Sequence, residues 1–358
     1  MKVILLAPLP PPAGGIAGWT VRMQKTSLKN GWEVEIVDEK LIGNREVFSN
    51  KSKRNYLNEI KRTFNIWKDL YKALNDDSAK IVHSCIPAST NGMIREYVCA
   101  VITKVRKRSF IIHYRSTLPN MIKTKLGFLL FKMLTNISDH AIALNSLSED
   151  FIKRQSKTPV TLIPNFIQNS EIIEKNSKKI NEDIERVIYV GGVIREKGCY
   201  EIINISRKFP KIKFYLIGKA EQEIIDMKKP ENCYLLGEIN SEEVKKELKT
   251  ADIFVFLTYF QGEGFSNALA EAMAYGLPCI VSDWAANKVM IGETGGYVVP
   301  IKDEKATEEA LIEMSSNIKL RKKQSNRNIS KVKENYIEEK VTDMYVDIYE
   351  QNMKGNKK

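Results

Sequence analysis

Short apolar runs, each followed by a polar loop that often carries glycine, recur along this chain. Residues 3–8 form the first run. A Pro/Gly loop over 9–18 follows, then an amphipathic stretch to Asn30 with Gly31 placed as its helical stop. Residues 32–38 alternate as a half-buried strand does. Residues 80–83, 110–113 and 140–143 are further apolar runs before polar loops. A second series opens near Glu185: a strand over 187–190, Gly191-Gly192, a helix over 200–208, and strands over 213–217, 233–236, 253–257 and 279–282. Strands alternating with helices predict parallel sheets covered on both faces. Between the two series, residues 163–179 hold Pro164-Asn165 and a polar tract that reads as an interdomain linker. Residues 330–352 read as a charged helical tail.

Length agrees with this division, since 358 residues suggest two domains at roughly 100–200 residues each. The predicted arrangement is residues 1–168, 169–329 and a returning C-terminal helix over 330–358. No apolar run approaches the ~18 residues of a membrane span. The opening MKVILLAPLPPP is too short in its apolar part for a secretory signal, so a buried first strand is expected. The five cysteines (Cys85, Cys99, Cys199, Cys233, Cys279) are scattered without a C-x-x-C pair, which predicts buried thiols in a reducing cytoplasm. Charge changes the picture more. Residues 1–168 hold 26 Lys and Arg against 13 Asp and Glu, so essentially all of the net +12 sits on the first half. That half is expected to meet anionic head groups or another polyanion.

The segment from Glu263 to Pro278 carries the most specific chemistry. It runs from a strand through a loop with Gly262 and Gly264 into a helix starting near Ser266, which Gly276 and Pro278 end. A glycine-bearing loop entering a helix N-terminus suits an anion such as a diphosphate. Glu263 before the helix and Glu271 two turns into it are carboxylates that would accept hydrogen bonds from sugar hydroxyls. A diphosphate between two hydroxyl-bearing rings is a nucleotide sugar.

The residues Glu263, Gly264, Phe265, Glu271, Ala272, Gly276 and Pro278 resemble the E-x7-E signature of retaining GT-B glycosyltransferases, which build bacterial surface polysaccharides and glycolipids. The resemblance implies an α/β architecture of two Rossmann-like domains facing across a cleft, with a C-terminal helix packing back on the first. It implies that Glu263 contacts the donor hexose and Glu271 the ribose, with Gly264, Phe265, Ser266 and Asn267 on the donor side. The stretch 190–198 is similar to the family's strand-to-loop segment, in which an arginine and a lysine neutralise the donor phosphates. Lys197 matches the lysine. Gly192 stands where the arginine is usual, and Arg195 is the candidate to replace it. Gly14 and Gly15 match a glycine pair that faces the diphosphate, and His113, ending its strand, matches a histidine near the donor sugar. His83, Asn145 and Asn165 are weaker candidates at the cleft and hinge, while His140 reads as structural.

No D-x-D occurs, so no metal and no cofactor are expected, and Lys197 with a helix start is expected to meet the leaving charge. The implied partners are a nucleotide-diphosphate sugar and a saccharide or lipid-linked acceptor. Peripheral membrane association is expected from the basic, aromatic-studded residues 51–74, the cluster 104–108 and residues 121–134, placing the chain in the cytoplasm at the inner membrane face. Two rival classes remain at this point: a nucleotide-sugar epimerase of the same fold, and a basic nucleic-acid-binding protein, which lacks a helix-turn-helix or RNP-like signature. The missing G-x-G-x-x-G disfavours an NAD-dependent reductase.

Overall fold

The computed structural model describes residues 1–11, 14–41 and 56–355. The chain divides into two units. One comprises Met1–Asn165, Gln261–Phe265 and Glu338–Lys358; the other Phe166–Phe260 and Ser266–Ile337.

The first unit is built on strands β1 (Lys2–Ala7), β2 (Glu33–Asp38), β3 (Ala79–Ile86), β4 (Ser109–Tyr114), β5 (His140–Ala143) and β6 (Val160–Leu162). Their order is β2-β1-β3-β4-β5-β6, and every pairing is parallel. Central strands such as Ser109–Tyr114 are buried on both faces and read as nearly continuous apolar runs, whereas β2 at the edge alternates. Ile4, Leu6, Val82, Phe110 and Ile112 point to one face, where the helices Tyr56–Ala73, Thr90–Val105 and Lys125–Ile137 pack on them. Residues of opposite parity, His83 and His113 among them, meet Trp19 of the helix Gly15–Lys25 and Tyr345 of the helix Glu338–Gly355.

The second unit repeats the plan with β7 (Arg186–Val190), β8 (Lys213–Ile217), β9 (Cys233–Gly237), β10 (Ile253–Phe256), β11 (Cys279–Ser282) and β12 (Gly296–Val299). All are parallel in the order β12-β11-β10-β7-β8-β9. The α/β fold class expected from the hydrophobic pattern is therefore observed. A Cβ on Gly296 would stand 1.8 Å from the Cys279 carbonyl oxygen, so this edge strand depends on glycine for its close approach to β11.

Several expectations need correction. The first helix begins at Gly15 and ends at Lys25, so Gly15 and Gly18 are helical, Gly18 N–H donating to the Gly14 carbonyl at 2.8 Å. Strands β6 and β12 were not expected; three or four apolar residues beside a loop give too little periodicity to count. The stretch 163–167 is no loose tether, because Ile163, Phe166 and Ile167 are fully buried. The tail is two helices, Ile318–Asn335 and Glu338–Gly355, broken where Ile337 pairs with Ile167, so residues 330–335 close a helix of the second unit. All five cysteines are buried thiols. Lys51, Lys53 and Arg54 lie outside the described residues. Among the described residues no helix is long and apolar enough to cross a membrane.

Candidate active site

In the second unit the chain moves from β7 outward through β8 and β9, then returns to β10 on the other side of β7. Ligands of open parallel sheets bind outside the carboxyl ends of strands at such a reversal. Two sequence-predicted segments sit there. After β7, the Tyr189 hydroxyl donates to the Gly192 carbonyl at 2.7 Å, and a turn over Arg195–Lys197 ends in Gly198 at φ 78°. A Cβ on Gly198 would stand 2.4 Å from the Leu257 carbonyl oxygen, so only glycine lets this turn lie against the end of β10. That contact sets Lys197, half-buried, with Nζ 5.5 Å from the Phe256 ring centroid and 5.0 Å from that of Phe260. After β10, Ser266 caps the helix Asn267–Ala274, its hydroxyl accepting from Leu269 N–H at 3.2 Å. Glu271 is half-buried on this helix.

Arg195 is not brought to Lys197's aromatic seat. It is exposed, its guanidinium donates to the Glu223 carboxylate, and it lies 3.9 Å from the centroid of the Tyr200 ring. The Glu223 hydrogen bond raises its pKa. The side chain is thus already engaged with an acid and a ring.

Glu263, Gly264 and Phe265 belong by packing to the first unit. The Glu263 carbonyl accepts from Thr117 N–H at 3.1 Å and from the Thr117 hydroxyl at 2.7 Å. Asn145 Nδ2 donates to the Gly264 carbonyl at 3.1 Å and to Thr117 Oγ1 at 3.0 Å, and Asn165 Nδ2 donates to the Phe265 carbonyl at 3.5 Å. A Cβ on Gly264 would come within 2.7 Å of the Arg115 carbonyl oxygen, so the loop closes this tightly only because residue 264 is glycine. The Glu263 side chain itself is buried. Three consecutive carbonyls are therefore anchored by side chains that follow β4, β5 and β6.

Beneath that loop runs a buried chain of hydrogen bonds. Arg115 Nη2 donates to Asn165 Oδ1 at 2.7 Å, and its guanidinium carbon stacks 4.6 Å from the Trp19 ring centroid. Arg115 Nη1 lies 3.2 Å from His113 Nε2, His113 Nδ1 lies 3.1 Å from His83 Nε2, and His83 Nδ1 lies 2.8 Å from the Tyr349 hydroxyl. A guanidinium can only donate, so His113 Nε2 accepts and its proton sits on Nδ1. That N–H donates to His83 Nε2, which leaves the His83 proton on Nδ1 to donate to the Tyr349 oxygen. Both rings are neutral. Burial and the Arg115 charge lower the His83 pKa to about 3, and burial first, then Arg115 and His83, hold His113 well below its ordinary value. The sequence reading places His113 beside a donor sugar; the structure gives it a wholly buried ring with both nitrogens engaged.

His83, Cys85 and His113 have ligand atoms within 4.8 Å of one another. The set does not fit a cation. Arg115 already occupies His113 Nε2 with positive charge, and burial raises the Cys85 thiol to about 12, so it keeps its proton.

In the first sheet the order reverses between β1 and β3, and Gly14 and Gly15 follow β1 there. Gly14 is the N-cap of the helix Gly15–Lys25, and a Cβ on it would meet nothing within 4 Å. His140 lies apart, its Nε2 2.9 Å from Thr161 Oγ1. Sequence reasoning missed Arg115 and Thr117. Their position directly after an apolar strand was the available signal, but an arginine or threonine there does not differ in pattern from a surface residue.

With this geometry in view, the comparisons with known proteins are specific. Residues 170–331 match the family model of the group 1 glycosyl transferases. The teichuronic acid biosynthesis glycosyltransferase TuaC of Bacillus subtilis (strain 168) is 25% identical over 199 residues, 52% of this chain and 50% of that protein. The chain spans about half the length of the curated relatives it matches. Its fold follows the sucrose-phosphate synthase of Thermosynechococcus elongatus over 99% of each chain with a TM-score of 0.79 at 15% identity. Anabaena HepE, solved in complex with UDP-glucose, superposes with a TM-score of 0.73 at 12% identity over 98% of this chain and 100% of that one. The GT-B architecture inferred from the E-x7-E segment is thereby borne out.

Proposed function

We propose that this chain transfers a hexose from a nucleoside diphosphate sugar to a saccharide or lipid-linked saccharide, with retention at the anomeric carbon, in the synthesis of a surface polysaccharide. The observation that carries this reading is the β7/β10 reversal, where Lys197 and the capped start of the Asn267–Ala274 helix follow adjacent strand ends. TuaC's part in teichuronic acid biosynthesis and the UDP-glucose bound by HepE support the substrate class.

In this mechanism Lys197 and the backbone amides of 264–267 take the diphosphate, a helix start and an ammonium together favouring a polyanion. Glu271 accepts from the ribose hydroxyls and Glu263 from those of the hexose, while Gly14-Gly15 leave room for a ligand to approach the backbone at the β1/β3 reversal of the first unit. The acceptor oxygen attacks the anomeric carbon from the face that the diphosphate leaves. The carbon–oxygen bond to the β-phosphate breaks, its electron pair goes to the departing phosphate oxygen, and that oxygen takes the acceptor's proton. Lys197 stabilises the negative charge that develops, so this step is written without a metal ion.

Screening UDP-, GDP- and ADP-sugars for a rise in melting temperature identifies the donor, because a ligand that binds the folded state stabilises it by mass action. Glu263→Ala should then nearly abolish transfer from that donor while the melting temperature without ligand stays close to wild type. Near-normal turnover would remove Glu263 from the site, and conversion of the donor without any acceptor would favour an epimerase.

A further inference from the structure

The helices on one face of the first sheet expose apolar residues on the side turned away from the core. In Tyr56–Ala73, the residues Ile66 and Leu70 face the sheet, while Tyr56, Leu57, Ile60, Phe64 and Tyr71 are all more than half exposed. At 3.6 residues per turn these five fall within an arc of about 100°. They form a second stripe beside the core-facing one. Lys61, Lys68 and Lys72, all exposed, follow along the next ~40° of the helix.

Thr90–Val105 repeats the pattern. Ile94, Val101 and Val105 are exposed with the spacing i, i+7, i+11, and the half-buried Val98 fills the gap at i+4. Lys125–Ile137 repeats it again with Leu126, Leu129 and Met133, bordered by Lys125 and Lys132. The middle helix packs against both of the others, so the three stripes lie side by side on one outer surface. Soluble monomers rarely expose contiguous apolar patches of this kind without a partner.

Charge selects the partner. No acid lies on any of the three stripes, and lysines border two of them, those of Tyr56–Ala73 and Lys125–Ile137. Beside Lys132 the surface opens into a shallow groove of about 690 Å³ lined also by Lys153, Arg154 and Lys157, with Lys153 paired to Glu149. A second copy of the chain docked through this face would bring lysine rows against lysine rows. A bilayer with anionic head groups offers hydrocarbon for the stripes and phosphate for the borders together.

We propose that this three-helix face is a monotopic docking surface for an anionic lipid bilayer. The proposal is independent of the transferase reading, because the face contains none of the residues given a role in transfer. The test is co-sedimentation of the full chain with vesicles of phosphatidylcholine and phosphatidylglycerol in equal parts, against vesicles of phosphatidylcholine alone. The chain should pellet with the anionic vesicles, less so as salt is raised. Phe64→Asp and Leu129→Asp should each weaken that binding at least tenfold while circular dichroism and melting temperature stay at wild-type values, since both side chains point outward. Lys61→Glu with Lys68→Glu should weaken it while leaving the apolar stripes intact. No binding to the anionic vesicles, or binding unchanged in these variants, overturns the proposal. So does self-association of the wild-type chain in sedimentation equilibrium that Phe64→Asp abolishes, which would make the occupant a second copy.

Discussion

Replacing Asn145 by serine separates two jobs that its side chain performs at once. Asn145 Oδ1 accepts from Ser148 N–H at 2.9 Å and so caps the helix Ser146–Gln155. Its Nδ2 group donates to the Gly264 carbonyl at 3.1 Å and to Thr117 Oγ1 at 3.0 Å, holding the loop that carries Glu263. Serine caps a helix about as well as asparagine but lacks the two amide donors. Each lost hydrogen bond is worth about 1 kcal/mol net, so the seated loop loses about 2 kcal/mol against unseated alternatives. That sets a ceiling of about 30-fold on the fall in kcat/KM. Asn145→Ala loses the same two donors and the cap as well, a further cost of about 1 kcal/mol in helix stability. The assay is release of nucleoside diphosphate from the donor found by thermal shift, beside urea unfolding followed by circular dichroism. Both variants should lose activity alike, and only the alanine variant should lose the stability of the cap. Turnover of Asn145→Ser within twofold of wild type would refute the reasoning, because the loop would then hold its place without Asn145.

Two further outcomes follow from buried groups. The neutral His83 and His113 rings titrate near 6.5 when unfolded but have lowered pKa values when folded, about 3 for His83. The unfolded chain therefore binds more protons below pH 6.5, and stability present above that pH is lost as pH falls, by about 2 kcal/mol for His83 at pH 5, with His113 adding a loss of the same sign. The urea midpoint should drop between pH 7.5 and 5, and it should drop less in His83→Gln; an equal drop in both chains would contradict a neutral His83. Gly276 sits at φ 67° with Ser325 Oγ 2.8 Å and Ile329 Cδ1 3.0 Å from the place of a Cβ. Gly276→Ala should cost about 2 kcal/mol through left-handed strain and crowding, read as a lower melting temperature; an unchanged value would show that the helix can end otherwise.

Ten of the twelve strands among the described residues could be placed from the sequence because each carries a run of apolar residues that must leave water, and a strand buried on both faces announces itself by that alone. Lys197 and the segment from Glu263 to Pro278 were legible for a related reason. Glycines beside strand ends, an N-cap serine and a terminal glycine are local requirements written in residue types. The segment's match to a known signature then named a chemistry that the pattern alone had left at nucleotide-sugar binding.

What the tertiary structure decided depends on residues far apart in the chain. Glu263 follows β10 of the second unit in sequence, yet its loop packs with the first because Thr117, Asn145 and Asn165 anchor its carbonyls. His113 and Arg195 look alike in sequence terms, each a cationic or titratable residue at or just beyond the end of a strand. Three-dimensional packing buried the first between His83 and Arg115, and gave the second to Glu223 and Tyr200. Residues 51–74 and 121–134 were legible as basic and rich in apolar residues, but which of those residues turn outward was hidden, since a helix bearing two apolar faces shows the same composition as one that is simply buried. Hydrophobic periodicity reports that a residue leaves water; only the packed neighbours report which residues it joins.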